Sequence, residues 1–380
     1  MKRIVLAPDS FKGSLSAREV AAAMTRGLLA ADADVEIQIC PMADGGEGTL
    51  DAVAAACGGT MQEKLVTDAN GHRKPVSWLL FRDGEGEAAL VEAACIVGLP
   101  EAQVAVDERT TTGVGELVLH LLDAEVHRIF IALGGTSTNE GGIGALAALG
   151  ARCLDAVGQQ IAPTLSGLAR LAAIDFSGLD VRLARTELIL LTDVRNPLCG
   201  PSGATAVFGL QKGVRSEDVA AFDACLSAYA RLGDAWAGHE VSMQPGSGAA
   251  GGLGYALMLA GGKAESGAKR VAQMVGLPDK LYGADLVITG EGRSDAQTLM
   301  GKVAAQVAAL AREQDVPTWL VSGAIDEAAL PELQRVFSRC IAASDPLLPL
   351  AQAMARTAQS LEQAMCLALT AQSRDRGEDK

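Results

Sequence analysis

At 380 residues the chain exceeds the roughly 100–200 residues of one compact domain, so two cores are expected. Its 49% hydrophobic content with only 3% aromatic residues and 43 glycines suits helices packed closely on sheets through tight turns. A net charge of −14 without a basic run excludes a nucleic-acid partner, and eight cysteines with neither a CxxC pair nor histidines at metal spacing exclude a zinc site or disulfide framework.

No membrane partner is expected either. The longest uncharged stretch, Ser242 to Gly262, is broken by Gln244, Pro245 and many glycines, where a span needs about 20 continuous apolar residues. The opening MKRIVLAPDS is too short and too polar for a signal-peptide core, so a cytoplasmic location is expected.

In chain order, Arg3–Pro8 reads as a strand and Ser16–Ala30 as a helix capped by Ser16. Val35–Met42 is a second strand, and Glu47–Cys57 a helix stopped by Gly58-Gly59. This βαβα order predicts a parallel sheet. From Lys64 to Glu92, three short strands separated by Asn70-Gly71 and Asp83-Gly84 predict antiparallel pairing and a second domain. Further buried strands are expected at Arg128–Leu133, Glu187–Thr192, Leu286–Thr289, Thr318–Val321 and Arg339–Ala342. Helices are expected at Gly301–Gln314 and Leu347–Thr370, with Ser373–Lys380 a frayed charged tail. The fold class is therefore α/β: a parallel-sheet domain formed by both termini (residues 1–63 and 283–380) with an inserted mixed-sheet domain (residues 64–282).

The P-loop pattern is absent, because Gly262-Lys263 and Gly301-Lys302 are followed by Ala and Val, and the protein-kinase motifs are missing too. Gly246, Gly248 and Gly251 match GxGxxG, but HEVSMQP before them is a poor strand, which disfavours a dinucleotide site. With Ser247 they instead either offer backbone N–H groups to an anion at the start of helix Leu253–Ala260 or form a plain turn and cap.

Strand Arg128–Leu133 runs into GGTSTNEGG, where Gly134 and Gly135 allow close backbone approach and Ser137, Thr138 and Asn139 are short polar groups. That arrangement suits a phosphate cradle or an ordinary βα turn capped by Thr138 or Asn139. APDSFKGSLSA places Asp9, Ser10, Lys12 and Ser14 after the first strand, with Lys12 the cation for a phosphate. PMADGGEGT sets Asp44 and Glu47 around Gly45 and Gly46; TDVRNPLCG contributes Asp193, Arg195 and Asn196; TGEGRSDAQTLMGK contributes Glu291, Arg293 and Asp295. Carboxylates at strand ends hold Mg²⁺, take a hydroxyl proton, or merely cap helices, and several such exits favour a shared cleft. The histidines His72, His120, His127 and His239 lie outside these motifs, which disfavours His-based nucleophilic catalysis.

Taken together, APDSFKGSLSA, PMADGGEGT, TDVRNPLCGPSGA, FGLQKG, PGSGAAGGLG and LVITGEGRSDAQTLMGK resemble the type I glycerate kinase family, in order, from residue 1 to about residue 345. The chain departs at Thr112, where an aromatic residue is usual, at Glu140, which replaces an Asp, and in VEAACIVGL, which bear on substrate fit. The resemblance implies a flavodoxin-like domain with an inserted mixed-sheet unit. It also implies transfer of the ATP γ-phosphate to D-glycerate, at the 2-hydroxyl in most of the family.

On that footing Asp193 is assigned as general base or Mg²⁺ ligand, with Glu291 as a further metal ligand, Asp295 as an acidic catalytic contact and Lys12 on phosphate charge. Glycerate would be held by Asp44, Arg293, Arg195 and the N–H groups of Gly45 and Gly46. Nucleotide and phosphate would be held by Ser10, Gly134, Gly135, Ser137, Thr138, Asn139, Ser247 and Gly248. The competing readings are attack at the 3-hydroxyl, a kinase for another small hydroxy acid, a catalytically silent nucleotide-binding regulator, and an NAD-linked oxidoreductase resting on PGSGAAG. A homo-oligomer is compatible with all of them.

Overall fold

The computed structural model describes residues 2–84 and 86–375. These divide into two compact units, one of Met1–Asp44, Asp51–Cys57 and Ala268–Lys380, the other of Gly45–Leu50 and Gly58–Gly267. Among the described residues the strands, numbered along the chain, are β1 (Arg3–Leu6), β2 (Glu36–Ile39), β3 (Thr60–Thr67), β4 (Arg73–Asp83), β5 (Gly86–Glu92), β6 (Arg128–Ala132), β7 (Arg152–Leu154), β8 (Ala173–Asp175), β9 (Glu187–Leu191), β10 (Lys263–Glu265), β11 (Leu286–Ser294), β12 (Thr318–Ile325) and β13 (Arg339–Ala342). The first and last strands expected from apolar runs thus form where the sequence places them.

The first unit is built on a five-stranded sheet, all parallel, in the order β13-β12-β11-β1-β2. Read from β2, this is the doubly wound flavodoxin-like order, whose connections turn in opposite directions from β1 and β11. Because side chains alternate along a strand, β1 feeds two cores: Ile4 and Leu6 pack with Met24, Leu28, Trp319 and Leu361 on one face, and Val5 with Val271, Val287 and Val307 on the other.

Ser16 caps the helix Ala17–Ala31 in a reciprocal arrangement with Glu19, as its position before an apolar-periodic run suggests. That helix crosses the helix Thr357–Asp375 at Gly27, where a side chain's first carbon would stand 2.2 Å from the Glu362 carbonyl oxygen.

The second unit has a six-stranded mixed sheet in the order β10-β9-β6-β5-β4-β3. β3, β4 and β5 form the expected antiparallel meander, and β5, β6, β9 and β10 run parallel. Gly71, at φ +82°, supplies the left-handed turn between β3 and β4. A two-stranded antiparallel ribbon, β7 with β8, is separate.

Three features differ from the sequence reading. β11 continues five residues past Thr289, because Glu291 and Arg293 pair with Ser322 and Ala324 of β12, while the glycines at 290, 292 and 323 let the backbones close up. The helix expected over Leu347–Thr370 is two helices, Leu350–Ala355 and Thr357–Asp375: Pro349 delays the start, and Ser14 Oγ donates to the Met354 carbonyl (2.9 Å) and Thr357 Oγ1 (2.7 Å), ending the first helix there. The unit limits also fall elsewhere than 63/64 and 282/283, since β3 starts at Thr60 and residues from Ala268 belong to the first unit. Of the tail expected to fray, Ser373–Asp375 continue the last helix and residues 376–380 lie outside the described residues.

Among the described residues the cysteines form no disulfide; Cys40 and Cys153 are buried and Cys57 is exposed. Among the described residues, no helix is long and apolar enough to cross a membrane, and Ser242–Gly262 is a turn-rich loop followed by a helix ending at Leu259.

Gly27→Val is expected to overpack the crossing of the helices Ala17–Ala31 and Thr357–Asp375. It should lower stability by about 1–3 kcal/mol, read as a reduced unfolding midpoint in urea, and an unchanged midpoint would show that the crossing relaxes freely.

Candidate active site

In an open α/β sheet the crevice for ligands lies beyond the carboxyl ends of the strands where the connections diverge. In the first unit that point is between β1 and β11, and a cavity of about 1000 Å³ lies there. The Asp9 N–H donates to the Gly290 carbonyl at 2.9 Å, so the exit of β1 stays fastened to β11. The chain then folds back in a tight turn from Phe11 to Leu15, with Gly13 at φ +76°, which presents Lys12 outward.

Asp9, Ser10, Lys12, Asp44, Glu291, Arg293 and Asp295 all line this cavity. Asp9 is 8% exposed, and its carboxyl is pushed up to about 7, first by burial and then by the neighbouring Asp44, with Lys12 pulling the other way. Its own Oδ1 accepts the Ser10 N–H at 2.7 Å. Lys12 Nζ stands 3.3 Å from Asp44 Oδ2, and its side chain is 66% exposed. A cation so placed is held over the acids yet open to a charged ligand.

Glu291 and Arg293 are two apart on the extension of β11, so they share a face. Glu291 Oε1 accepts Ser294 Oγ at 2.9 Å and Thr298 Oγ1 at 2.5 Å, which orient the carboxylate. Arg293 reaches Asp326 only loosely, at 3.8 Å, and remains available for an anion. Asp295 is engaged as an N-cap, accepting the Gln297 N–H at 2.8 Å in a reciprocal bond with Thr298. Lys302, Ser344 and Asp345 also line the cavity and were not singled out from sequence. Lys302 follows a glycine at a helix start, a weak signal, whereas Ser344 and Asp345 stand at the exit of β13 with no local signature.

In the second unit, Asp193 follows β9 and its Oδ1 accepts Ser266 Oγ at 2.7 Å, while Arg195 is exposed. Gly45 and Gly46 allow close packing there: the Gly134 N–H donates to the Gly45 carbonyl at 3.1 Å, and a first side-chain carbon on Gly134 would lie 2.6 Å from Gly46 Cα. Gly135 takes φ +75°. The N–H and hydroxyl of Ser137 both donate to the Val97 carbonyl, at 2.8 and 2.9 Å. Ser247 donates its N–H to Gln244 and its hydroxyl to Ser242, and the Gly248 N–H donates to Asn196. A phosphate would have to displace those bonds. Thr138 Oγ1 and Asn139 Oδ1, by contrast, are buried with no hydrogen-bond partner among the described residues.

Two buried cations grip this loop from behind. Arg109 donates to the Ser137 carbonyl (2.9 Å) and the Lys212 carbonyl (2.8 Å), and Lys212 Nζ donates to the Thr138 carbonyl (2.8 Å). Glu140, wholly buried, accepts the Thr111 N–H at 2.8 Å and also bonds the Thr111 hydroxyl and the Gly142 N–H. Burial pushes its carboxyl up. FGLQKG thus supplies a lysine that holds the glycine loop, a role sequence reasoning missed, because a basic residue near a loop is ordinarily solvated.

Doubly wound sheet, switch-point crevice and strand-end carboxylates define an α/β protein with a site for a polar, charged ligand. The chain belongs to the glycerate kinase family, whose sequence profile matches residues 4–371. It is 39% identical to a glycerate kinase of Bacillus subtilis strain 168 over 366 residues, 95% of either chain, and 39% identical to a glycerate 2-kinase of Escherichia coli strain K12 over 331 residues, 86% of either chain. The crystal structure described as a glycerate kinase 2 from Salmonella typhimurium LT2 superimposes with a TM-score of 0.83 at 38% identity, covering all of both chains.

Burial pushes the Lys212 ammonium down from its ordinary 10.5 to about 7. The folded state therefore holds fewer protons than the unfolded state between those values, so the cost of burying the charge is full below pH 7 and fades as pH rises toward 10.5. Relative to wild type, Lys212→Met is expected to shift Tm more favourably at mildly acidic pH than at alkaline pH. Parallel Tm profiles for the two proteins would rule out the buried charge.

Proposed function

We propose that the protein is a cytoplasmic, ATP-dependent kinase that phosphorylates D-glycerate at its 2-hydroxyl, releasing ADP. The observation that carries this reading is the cavity of the first unit, in which Lys12 and Arg293 stand among Asp9, Asp44 and Glu291 at the switch point of a doubly wound sheet. Family membership supports the substrate, and the name of the Escherichia coli relative supports the 2-position.

Phosphoryl transfer needs positioning and charge neutralisation more than covalent help. Lys12, exposed at the cavity, would neutralise phosphate oxygens, with Ser10 lining the same cavity. Arg293 would hold the glycerate carboxylate, and Asp44 would accept a hydrogen bond from a hydroxyl of the acid. Asp295, held as a cap, would add negative charge at the rim.

Among the described residues no three acidic, histidine or cysteine side chains converge on a metal, but Mg²⁺ is commonly held by one or two carboxylates together with phosphates and waters, and Asp9 and Glu291 present such hard oxygens to the cavity. Glu291, with Asp9 beside it, would hold the ion, which supplies charge neutralisation to the phosphates when bound.

For the second unit the proposal is made residue by residue. Asp193 is the general base, receiving the hydroxyl proton, or a further metal ligand. Arg195 and the N–H groups of Gly45 and Gly46 are assigned to the carboxylate. Thr138, whose hydroxyl is buried without a partner among the described residues, and Asn139 are the better phosphate contacts, with Gly134, Gly135, Ser137, Ser247 and Gly248 shaping the loops around them.

Lys12→Met and Asp193→Asn are each expected to lower kcat by about 100-fold or more while leaving the thermal unfolding transition in place. Near-normal turnover in either variant removes that residue from the mechanism. Phosphorus NMR of the product is expected to show 2-phosphoglycerate, and a 3-phosphoglycerate signal would overturn the assigned position.

A further inference from the structure

A three-carbon acid leaves most of the first unit's cavity unused. At about 1000 Å³ it lies at the upper end of the roughly 300–1,000 Å³ range of sites for drug-sized ligands. Its lining also changes character along the sheet. Most of the charged groups follow β2 (Asp44), β1 (Asp9, Lys12) and β11 (Glu291, Arg293), while Glu327 after β12 and Asp345 after β13 stand apart from them.

Past β11 the wall becomes more apolar, with Ala324 and Ile325 from β12, Ala342 from β13, and Leu348 and Leu350 from the segment that follows. Four strand spacings of about 4.8 Å separate β2 from β13, roughly 19 Å in all. The ligand that matches is long, anionic at one end and apolar at the other.

The lip of the apolar end has its own signature. Leu350 is 75% exposed at the start of the helix Leu350–Ala355, an apolar side chain left in water beside the cavity. Ser344 and Asp345 stand at the same end as polar partners for hydroxyl groups.

We infer that the adenine ring and ribose of the nucleoside triphosphate occupy the end of the cavity formed by β12, β13 and residues 344–350, the phosphates running across the strand ends toward Lys12. The ring lies against Ala342, Leu348 and Leu350, covering Leu350 from water, and the ribose hydroxyls meet Ser344 and Asp345. This placement rests on the kinase reading above and assigns the nucleoside to the first unit.

Cys340 lines the same end and reports on its occupancy. In the full-length protein, alkylation of Cys340 is followed by mass spectrometry, with exposed Cys57 as internal control. Adenosine, which has no phosphate, and ADP are each expected to slow labelling of Cys340 and leave Cys57 unaffected. Ala342→Trp, which fills the seat, and Leu350→Asp, which charges its lip, are each expected to raise KM for ATP about tenfold with KM for glycerate unchanged.

Labelling of Cys340 that adenosine and ADP leave unaltered, with KM for ATP unaltered in both variants, overturns the seat. Glycerate phosphorylation by the wild type would still stand in that case. Protection of Cys340 by adenosine upholds the seat even where the wild type fails to phosphorylate glycerate, an outcome that would overturn the kinase reading alone.

Discussion

Parallel pairing of β1 with β11 is the constraint from which the candidate site follows. It joins Ile4 to Leu286 and Leu6 to Ile288, strands separated by most of the chain, and it carries on past the strand as the bond from the Asp9 N–H to Gly290. Because the connections leave β1 and β11 in opposite directions, a crevice opens beyond their ends. The side chains that leave those ends therefore face the crevice by topology.

Topology also sets the electrostatics. Three carboxylates from separate strand exits, Asp9, Asp44 and Glu291, share one cavity, and the most buried of them bears the cost as a raised pKa. Such an arrangement is unfavourable in an empty cavity, and positive charge placed among the acids would offset it. A fold held by several apolar clusters can carry this local cost, since β1 alone anchors two of them. The same sheet then grades from charged to apolar across its width, which suits a ligand of two chemical characters better than a small acid alone.

In the second unit, glycine motifs turn out to be packing devices as much as ligand loops. Gly134 is held against Gly45 and Gly46 at a separation that no side chain would permit. Ala250, Gly251 and Gly252 lie consecutively in the left-handed region, and a first side-chain carbon on Gly251 would stand 2.0 Å from the Thr138 carbonyl oxygen. Arg109 and Lys212 hold the loop carbonyls from the buried side, while Glu140 takes up the Thr111 and Gly142 donors. The longer acid at position 140 is thus accommodated by hydrogen bonds inside the unit.

Local pattern was enough for the strands of both sheets except β10, the capped helix after Ser16, the meander signalled by Asn70-Gly71, and the strand-exit motifs around Asp9, Asp44 and Glu291. Those features depend on side-chain period and turn chemistry within a few residues, which any reader of the chain can see. Tertiary structure alone decided the rest. β11 runs on through a glycine-rich stretch because β12 pairs with it, and Asp295 is committed as a cap because Thr298 folds back on it. Lys212 is buried behind the loop because the Thr138 carbonyl accepts from its ammonium and Arg109 donates to its carbonyl, and β13 with residues 344–350 walls one end of the cavity. Each is fixed by partners far away in the chain, and spacing along a sequence carries no record of which distant backbone or side chain will arrive.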